Sequence, residues 1–202
     1  MDDARSLESV RTSYGTRAAD YITALGSITQ AHPDDVALIQ QWAESLDGPV
    51  VDVGCGPGQW TDLLRSMGVE ACGVDPVPEF IESARDTYPG ARYRVGRAER
   101  LSVDSGTLGG VLAWYSLIHT APEHIGAPLA EFARCLRPGG GLALGFFTGP
   151  TVEPFDHAVT TAYYWPMDTF TAEVEAAGLT VTRTAMRTGS GHRPHGALLA
   201  TR

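Results

Sequence analysis

Three glycines at alternate positions and two carboxylates are the features of this sequence that best indicate chemistry. Gly54, Gly56 and Gly58 follow a β-branched segment that contains Asp52, and Asp75 ends a second apolar segment seventeen residues after Gly58. A glycine turn between a strand and a helix lets the backbone approach a ligand closely. A carboxylate at the end of the next strand is well placed to accept hydrogen bonds from a ribose. The pattern predicts a ligand that contains a nucleoside.

Spacing and composition exclude several nucleotide ligands. A dinucleotide fingerprint, Gly-x-Gly-x-x-Gly, needs a third glycine where this chain has Gln59. The sequence contains no lysine, so a P-loop lysine, a Schiff-base lysine and the Tyr-x-x-x-Lys pair of short-chain dehydrogenases are all absent. A nicotinamide oxidoreductase is therefore disfavoured.

The same residues resemble the class I S-adenosylmethionine-dependent methyltransferases. The first motif of that family, an acidic residue followed by Gly-x-Gly-x-Gly, is matched by Asp52 and the glycine turn, and Asp75 matches the acidic residue that ends the family's second strand. Similarity continues through residues 96–99, 110–119 and 136–140, the last reading Leu-Arg-Pro-Gly-Gly. The resemblance covers roughly residues 12 to 202.

The resemblance implies a fold, a cofactor and a reaction. It implies an α/β, Rossmann-like doubly wound sheet of order 3-2-1-4-5-7-6, with strand 7 antiparallel, behind an N-terminal helical lid. It also implies S-adenosylmethionine as methyl donor, S-adenosylhomocysteine as product, and a small organic O, N or S acceptor. A non-catalytic S-adenosylmethionine-binding sensor or partner subunit is the alternative.

Hydrophobic patterning independently predicts alternating strands and helices, which is typical of a parallel sheet covered on both faces. The length of 202 residues suits one domain. We divide it into a helical lid (1–47), a cofactor-binding core (48–148) and an acceptor-side insert with C-terminal strands (149–202). The predicted strands lie near 50–54, 70–75, 91–95, 109–114, 141–147, 179–186 and 197–201, and the predicted helices near 58–67, 77–87, 124–136 and 167–177.

Ligands of doubly wound sheets bind beyond the carboxyl ends of the strands. We expect the irregular insert 149–166 and a Gly/His/Pro loop at 189–196 to cover that rim. The resemblance places the adenine of the cofactor near Ala98. The expected cofactor contacts are Tyr14, Tyr21, Asp52, Gly54, Cys55, Gly56, Gly58, Trp60, Asp75, Pro76, Ala98, Glu99, Trp114, Tyr115 and Ser116.

Several of these residues have two interpretations. Asp75 binds ribose or is a solvated turn residue. Asp52 helps to hold the cofactor's ammonium group or braces the glycine turn. Glu99 binds the exocyclic amine or is a surface charge, and Cys55, which has no base beside it in sequence, is better explained by packing than as a nucleophile.

His119, five residues after Trp114, is the candidate catalytic residue. Imidazole titrates near neutral pH, so His119 suits positioning or deprotonating the acceptor. The alternative is a histidine that is simply hydrogen-bonded at the pocket wall. No metal is predicted, because the histidine spacings match no zinc motif and no cysteine cluster accompanies them.

Composition limits the partners. A net charge of −9 argues against nucleic acid. The odd number of cysteines, three, indicates reduced thiols in a cytoplasmic protein. The N-terminus lacks an apolar leader and no run is long enough to span a membrane, so we expect no export and no membrane association. The aromatic residues near the rim favour an apolar or aromatic small acceptor, and the sequence leaves the oligomeric state open.

Overall fold

A computed structural model describes residues 14–15, 18–189 and 192–202. Strands and α-helices alternate from residue 50 to residue 95, as predicted, and strands predominate in the C-terminal part. The helices are α1 (Ala18–Leu25), α2 (Pro33–Glu44), α3 (Gln59–Ser66), α4 (Pro78–Thr87), α5 (Gly126–Cys135) and α6 (Met167–Ala176). The strands are β1 (Val50–Val53), β2 (Ala71–Asp75), β3 (Arg92–Val95), β4 (Leu108–Trp114), β5 (Leu136–Phe147), β6 (Glu153–Phe155), β7 (Ala162–Tyr164), β8 (Thr180–Gly189) and β9 (His192–Thr201).

Seven strands form one sheet in the order β3-β2-β1-β4-β5-β9-β8. Strands β1 to β5 are parallel, whereas β9 runs antiparallel to both β5 and β8. With β8 and β9 as the sixth and seventh strands, the predicted order 3-2-1-4-5-7-6 is confirmed. Every residue of β1 and β4 is buried, because both faces of the central strands are covered.

Two apolar layers hold the sheet between the helices. One layer packs α5 and α6 against the sheet, with Leu129, Phe132 and Phe170 at its centre. The other packs α2 and α3 against the opposite face through residues such as Trp42 and Leu64. This packing aligns the carboxyl ends of β1, β2 and β4 along one rim, where the candidate site lies. Among the residues that the structure describes, no helix has the length and apolarity to cross a bilayer.

The C-terminal half differs from the sequence prediction in three places. The prediction of a loop over 189–196 is wrong for residues 192–196, which belong to β9. They pair with β8 as far as His192, and β5 pairs with Gly196 and His195. The insert 149–166 is not wholly irregular, since it contains the β6–β7 hairpin. Strand β5 begins at Leu136 rather than near 141.

Candidate active site

A cleft opens at the carboxyl ends of β1, β2 and β4. Most of the residues predicted from sequence meet there. They are Tyr14, Tyr21, Gly54, Gly56, Asp75, Pro76, Ala98, Glu99, Trp114, Tyr115, Ser116 and His119.

The glycine turn and the end of β4 approach each other very closely. A Cβ atom on Gly54 would lie 2.3 Å from the Cβ of Ser116, and the φ of Gly54 is +68°. Only glycine fits at this position. The neighbouring Ser116 hydroxyl is buried, and among the described residues it has no hydrogen-bond partner. Because an unpaired buried hydroxyl is costly, Ser116 is suited to pair with a polar ligand group in the cleft.

Asp75 ties the glycine turn to the second strand. Its Oδ2 accepts a hydrogen bond from the backbone N–H of Gly56 at 2.9 Å, and its Oδ1 accepts one from Val77 at 2.8 Å. The side chain is only 5% exposed. Burial raises the pKa of Asp75 to about 6, although the two backbone N–H groups oppose this shift. At neutral pH the carboxylate is ionised and has lone pairs left for a further donor.

Asp52, Cys55, Gly58 and Trp60 do not line the cleft. Asp52 is buried beside α3, where its Oδ2 accepts a 2.6 Å hydrogen bond from the hydroxyl of Thr61. Burial raises the pKa of Asp52 to about 7. This contact anchors the helix that follows the glycine turn. It therefore favours a bracing role for Asp52 over binding of the cofactor's ammonium group.

The other three residues pack behind the turn. Cys55 is buried beside Tyr93, and burial raises the pKa of its thiol, which matches the packing interpretation. Gly58 caps α3 with a φ of +94°, and a Cβ there would lie 2.9 Å from the Tyr93 hydroxyl. Trp60 packs against Trp114, with ring centroids 5.9 Å apart.

His119 is held on both ring nitrogens. Its Nδ1 lies 2.7 Å from the carbonyl oxygen of Thr161, and its Nε2 lies 2.9 Å from the hydroxyl of Tyr14. A carbonyl only accepts, so Nδ1 carries the hydrogen and Nε2 accepts from the Tyr14 hydroxyl. Burial lowers the pKa of His119 to about 4 and raises that of Tyr14. Both groups are therefore neutral near pH 7.

Aromatic rings from the N-terminal segment form one wall of the cleft. Tyr14 contacts Tyr21 and Phe80, with ring centroids 5.4 and 5.7 Å apart, and Tyr21 lies 5.1 Å from Phe80. Phe80 was not predicted, although its place in the first turn of α4, just after Asp75, was an available signal. Of the predicted lid, residues 1–13 and 16–17 lie outside the described residues.

The mouth of the cleft and its far side add further groups that the sequence did not single out. Arg97 pairs with Glu99 at 3.2 Å, and both line the cleft. From the insert, Thr161 supplies the carbonyl to His119, and the His157 ring lies 5.2 Å from the His119 ring. Within the described ranges, no group of His, Cys, Asp and Glu side chains could hold a metal ion.

Comparison with known proteins gives this arrangement a family context. Residues 50–140 match the family described as a methyltransferase domain. The chain is 32% identical over 129 residues to the trans-aconitate 2-methyltransferase of Methylobacterium nodulans, an alignment that covers 63% of this chain and 48% of that enzyme. The chain spans 38 to 52% of the length of this and similar curated relatives.

Solved structures agree on the fold. The magnesium protoporphyrin IX methyltransferase of Synechocystis superposes with a TM-score of 0.78 at 18% identity, covering 98% of this chain and 97% of that one. The [4+2]-cyclase SpnF superposes with a TM-score of 0.76 at 17% identity, covering 98% and 96%. The chain thus carries a methyltransferase domain on a Rossmann-like sheet. Both likenesses support the class I methyltransferase resemblance seen in the sequence.

Proposed function

We propose that the protein transfers a methyl group from S-adenosylmethionine to a small organic O, N or S acceptor by in-line displacement. The observation that carries this proposal is the pair of hydrogen bonds made by Asp75. They join the glycine turn and the second-strand carboxylate into one wall of the cleft.

The lining of the cleft suits the cofactor's functional groups. Asp75 keeps lone pairs for the ribose hydroxyls, and a hydrogen bond to a charged group contributes about 1.5–3 kcal/mol. The buried Ser116 hydroxyl, next to Gly54, is placed to pair with the polar amino-acid portion. Ala98 and Glu99 lie at the cleft where the resemblance puts adenine.

The acceptor side is built from neutral groups. The cofactor, when bound, supplies a methyl carbon already activated by a sulfonium, so alignment and exclusion of water are the protein's main tasks. Tyr14, Tyr21 and Phe80 provide an apolar wall for a small acceptor with aromatic or apolar surface. His119 Nε2 is the proposed proton acceptor for acceptors that must lose a proton, once the Tyr14 hydroxyl moves aside.

Other parts of the proposal concern the setting of the protein. Cys55, Cys72 and Cys135 are all unbridged, which supports a reducing, cytoplasmic location. The net charge of −9 supports a small molecule rather than a nucleic acid as acceptor. We also propose that the three sequence segments, lid, core and acceptor-side insert, act as one domain.

A second candidate function is cofactor binding without methyl transfer. It is supported by the likeness to a [4+2]-cyclase, because the same fold serves other chemistry. Detection of methylated products across a broad panel of small acceptors would exclude this candidate. Cofactor binding with no turnover on any acceptor would favour it.

Calorimetry with S-adenosylmethionine and S-adenosylhomocysteine tests the proposal directly. Asp75→Ala should weaken binding at least tenfold, about 1.4 kcal/mol. The matched control, Glu82→Ala, removes an exposed carboxylate on the surface of α4 and should leave affinity unchanged. Absence of binding to the folded wild-type protein would overturn the proposal, and equal affinity of wild type and Asp75→Ala would remove Asp75 from the site.

A further inference from the structure

Tyr115 has an unfavourable backbone conformation at a sensitive position. It directly follows β4 and lines the cleft, and its φ is +58°, in the left-handed region that residues with a Cβ seldom occupy. Ser116 and His119 follow it on the same rim segment. Its own backbone preference opposes this conformation, so other contacts must hold it. One of them is the hydrogen bond from the Tyr115 backbone N–H to the Gly145 carbonyl at 2.9 Å, and side-chain interactions supply the others.

A series of polar side chains in contact with one another lies behind the Tyr115 ring. The Tyr115 hydroxyl is hydrogen-bonded to Nδ1 of His195, and Nε2 of His195 lies 3.5 Å from Oδ1 of Asp35. Asp35 in turn pairs with the Arg187 guanidinium, at 2.5 Å to Oδ1 and 3.0 Å to Oδ2. His195 and Asp35 are 5% and 6% exposed. The four residues come from the segment after β4, from β9, from α2 and from β8, so this series of contacts joins the cleft to distant parts of the fold.

The donors in this series can be assigned from its chemistry. The Asp35 carboxylate pairs with the Arg187 guanidinium and presents an accepting oxygen 3.5 Å from Nε2 of His195, which favours the tautomer with the hydrogen on Nε2. Nδ1 then presents its lone pair and accepts from the Tyr115 hydroxyl. Burial lowers the pKa of His195 to about 4, which keeps this imidazole neutral at pH 7.

The packing around the Tyr115 ring supports the same arrangement. The ring lies 5.0 Å from Phe147 and 5.3 Å from His195, and it meets Trp114 edge-on at 6.2 Å. These apolar contacts restrict the ring to one side of the cleft, while the hydroxyl bond to His195 fixes its depth. No residue of the cleft wall other than Tyr115 touches His195 through a hydrogen bond in the described ranges.

We propose that His195 is a positioning residue of the site, which holds Tyr115, and through it the rim segment 115–119, in the conformation that binds ligand. Asp35 and Arg187 fix the His195 tautomer that this requires. The inference rests on the proposed function, because it assigns the cleft to S-adenosylmethionine. Removing the acceptor at Nδ1 should loosen the rim and weaken binding by about the value of one neutral hydrogen bond, roughly fivefold.

Two substitutions at His195 separate positioning from bulk packing. His195→Leu keeps an apolar side chain of similar size but has no acceptor, whereas the Oδ1 of His195→Asn takes the place of Nδ1. S-adenosylhomocysteine affinity is measured by calorimetry, and backbone exchange of residues 115–119 by hydrogen–deuterium mass spectrometry. We expect His195→Leu to bind about fivefold more weakly and to exchange faster at 115–119, and His195→Asn to remain within about twofold of wild type.

Tyr115→Phe removes the same bond from its other end by deleting one oxygen, and it carries the test if His195→Leu does not fold. It should reproduce the His195→Leu effect, and the double variant should be no weaker than either single variant. Three results would overturn the inference. They are unchanged affinity and exchange in Tyr115→Phe, equal loss of affinity in His195→Leu and His195→Asn, and additive effects in the double variant. If wild type binds no cofactor, the proposed function fails instead, and exchange at 115–119 still decides whether His195 positions the rim.

Discussion

The pKa of Asp75 leads to a prediction about how ligand binding changes with pH. The pKa of this carboxyl, raised by burial to about 6, lies inside a pH range where the protein can be studied. At pH 8 the group is ionised and forms charge-assisted hydrogen bonds. At pH 5, one unit below its pKa, about nine tenths of it is protonated. If the ionised form binds the ribose, wild-type affinity for S-adenosylhomocysteine should fall about tenfold between pH 8 and pH 5.

Asp75→Asn supplies the matched perturbation. The amide keeps one accepting oxygen for either Gly56 or Val77 but loses the charge, so its hydrogen bonds contribute about 0.5–1.5 kcal/mol instead of about 1.5–3. The difference of roughly 1–1.5 kcal/mol predicts an affinity about five- to tenfold weaker than wild type at pH 8. Because the amide does not titrate, the Asp75 contribution to the pH dependence should disappear.

Unfolding at pH 5 does not explain the expected loss of affinity. The pKa of Asp75 in the folded chain, about 6, is above its ordinary value of 3.8, so the folded state binds this proton more tightly than the unfolded state. This group therefore stabilises the fold as pH falls from about 6 toward 3.8. Calorimetric titration at pH 5, 6, 7 and 8 makes the comparison. A wild-type affinity that is flat with pH, or an Asp75→Asn variant that retains the full tenfold fall, would refute the reasoning.

Three further predictions concern the turn, its brace and the candidate base. Gly58→Ala should lower the free energy of unfolding by about 2–3 kcal/mol in urea denaturation, because its Cβ would meet the Tyr93 hydroxyl at 2.9 Å with φ at +94°. Gly68→Ala, at φ +85° with no atom within 4 Å, should lose only about 1 kcal/mol, and equal losses would contradict the collision argument. The pKa of Asp52 is raised from 3.8 to about 7, so its stabilising effect is complete below pH 3.8 and is lost as pH rises through 7. In denaturation experiments, the free energy of unfolding of Asp52→Asn should therefore fall less than that of wild type over this range. An unchanged pH dependence in the variant would count against this prediction. With the pKa of His119 lowered to about 4, turnover on a true acceptor should show no His119 ionisation between pH 6 and 8, whereas a limb near 6.5 that His119→Ala abolishes would contradict the burial argument.

The sequence predicts those parts of the fold that depend on residues close to one another along the chain. The glycine turn, Asp75 and the alternation of strands and helices suffice to predict a parallel sheet and the rim, whereas the sheet order follows only from the family resemblance. Residues 192–196 have the Gly/His/Pro composition of a turn, yet they form strand because β8 pairs with them and the end of β5 pairs with His195 and Gly196. Tertiary pairing overrode local composition there.

In the candidate site, too, the sequence predicts local features but not contacts that depend on tertiary packing. Side chains of neighbouring residues in a strand point to opposite faces, so Asp52 on β1 faces α3 and Thr61 rather than the cleft. The series of contacts from Tyr115 to His195 and Asp35 joins residues 80 and 160 positions apart. No spacing rule links such residues, since their contact depends on how β9 and α2 pack around the end of β4.

The position of β9 between β5 and β8 has a consequence for how the protein is made. During synthesis β8 emerges before β9, yet among the described strands only β9 pairs with β8 in the sheet. Strand β8 therefore cannot join the sheet until β9 has been made. Until β9 arrives, the edge of β5 that it covers, residues 141–147, can pair with another extended peptide, so a nascent chain paused at this stage is exposed to aggregation.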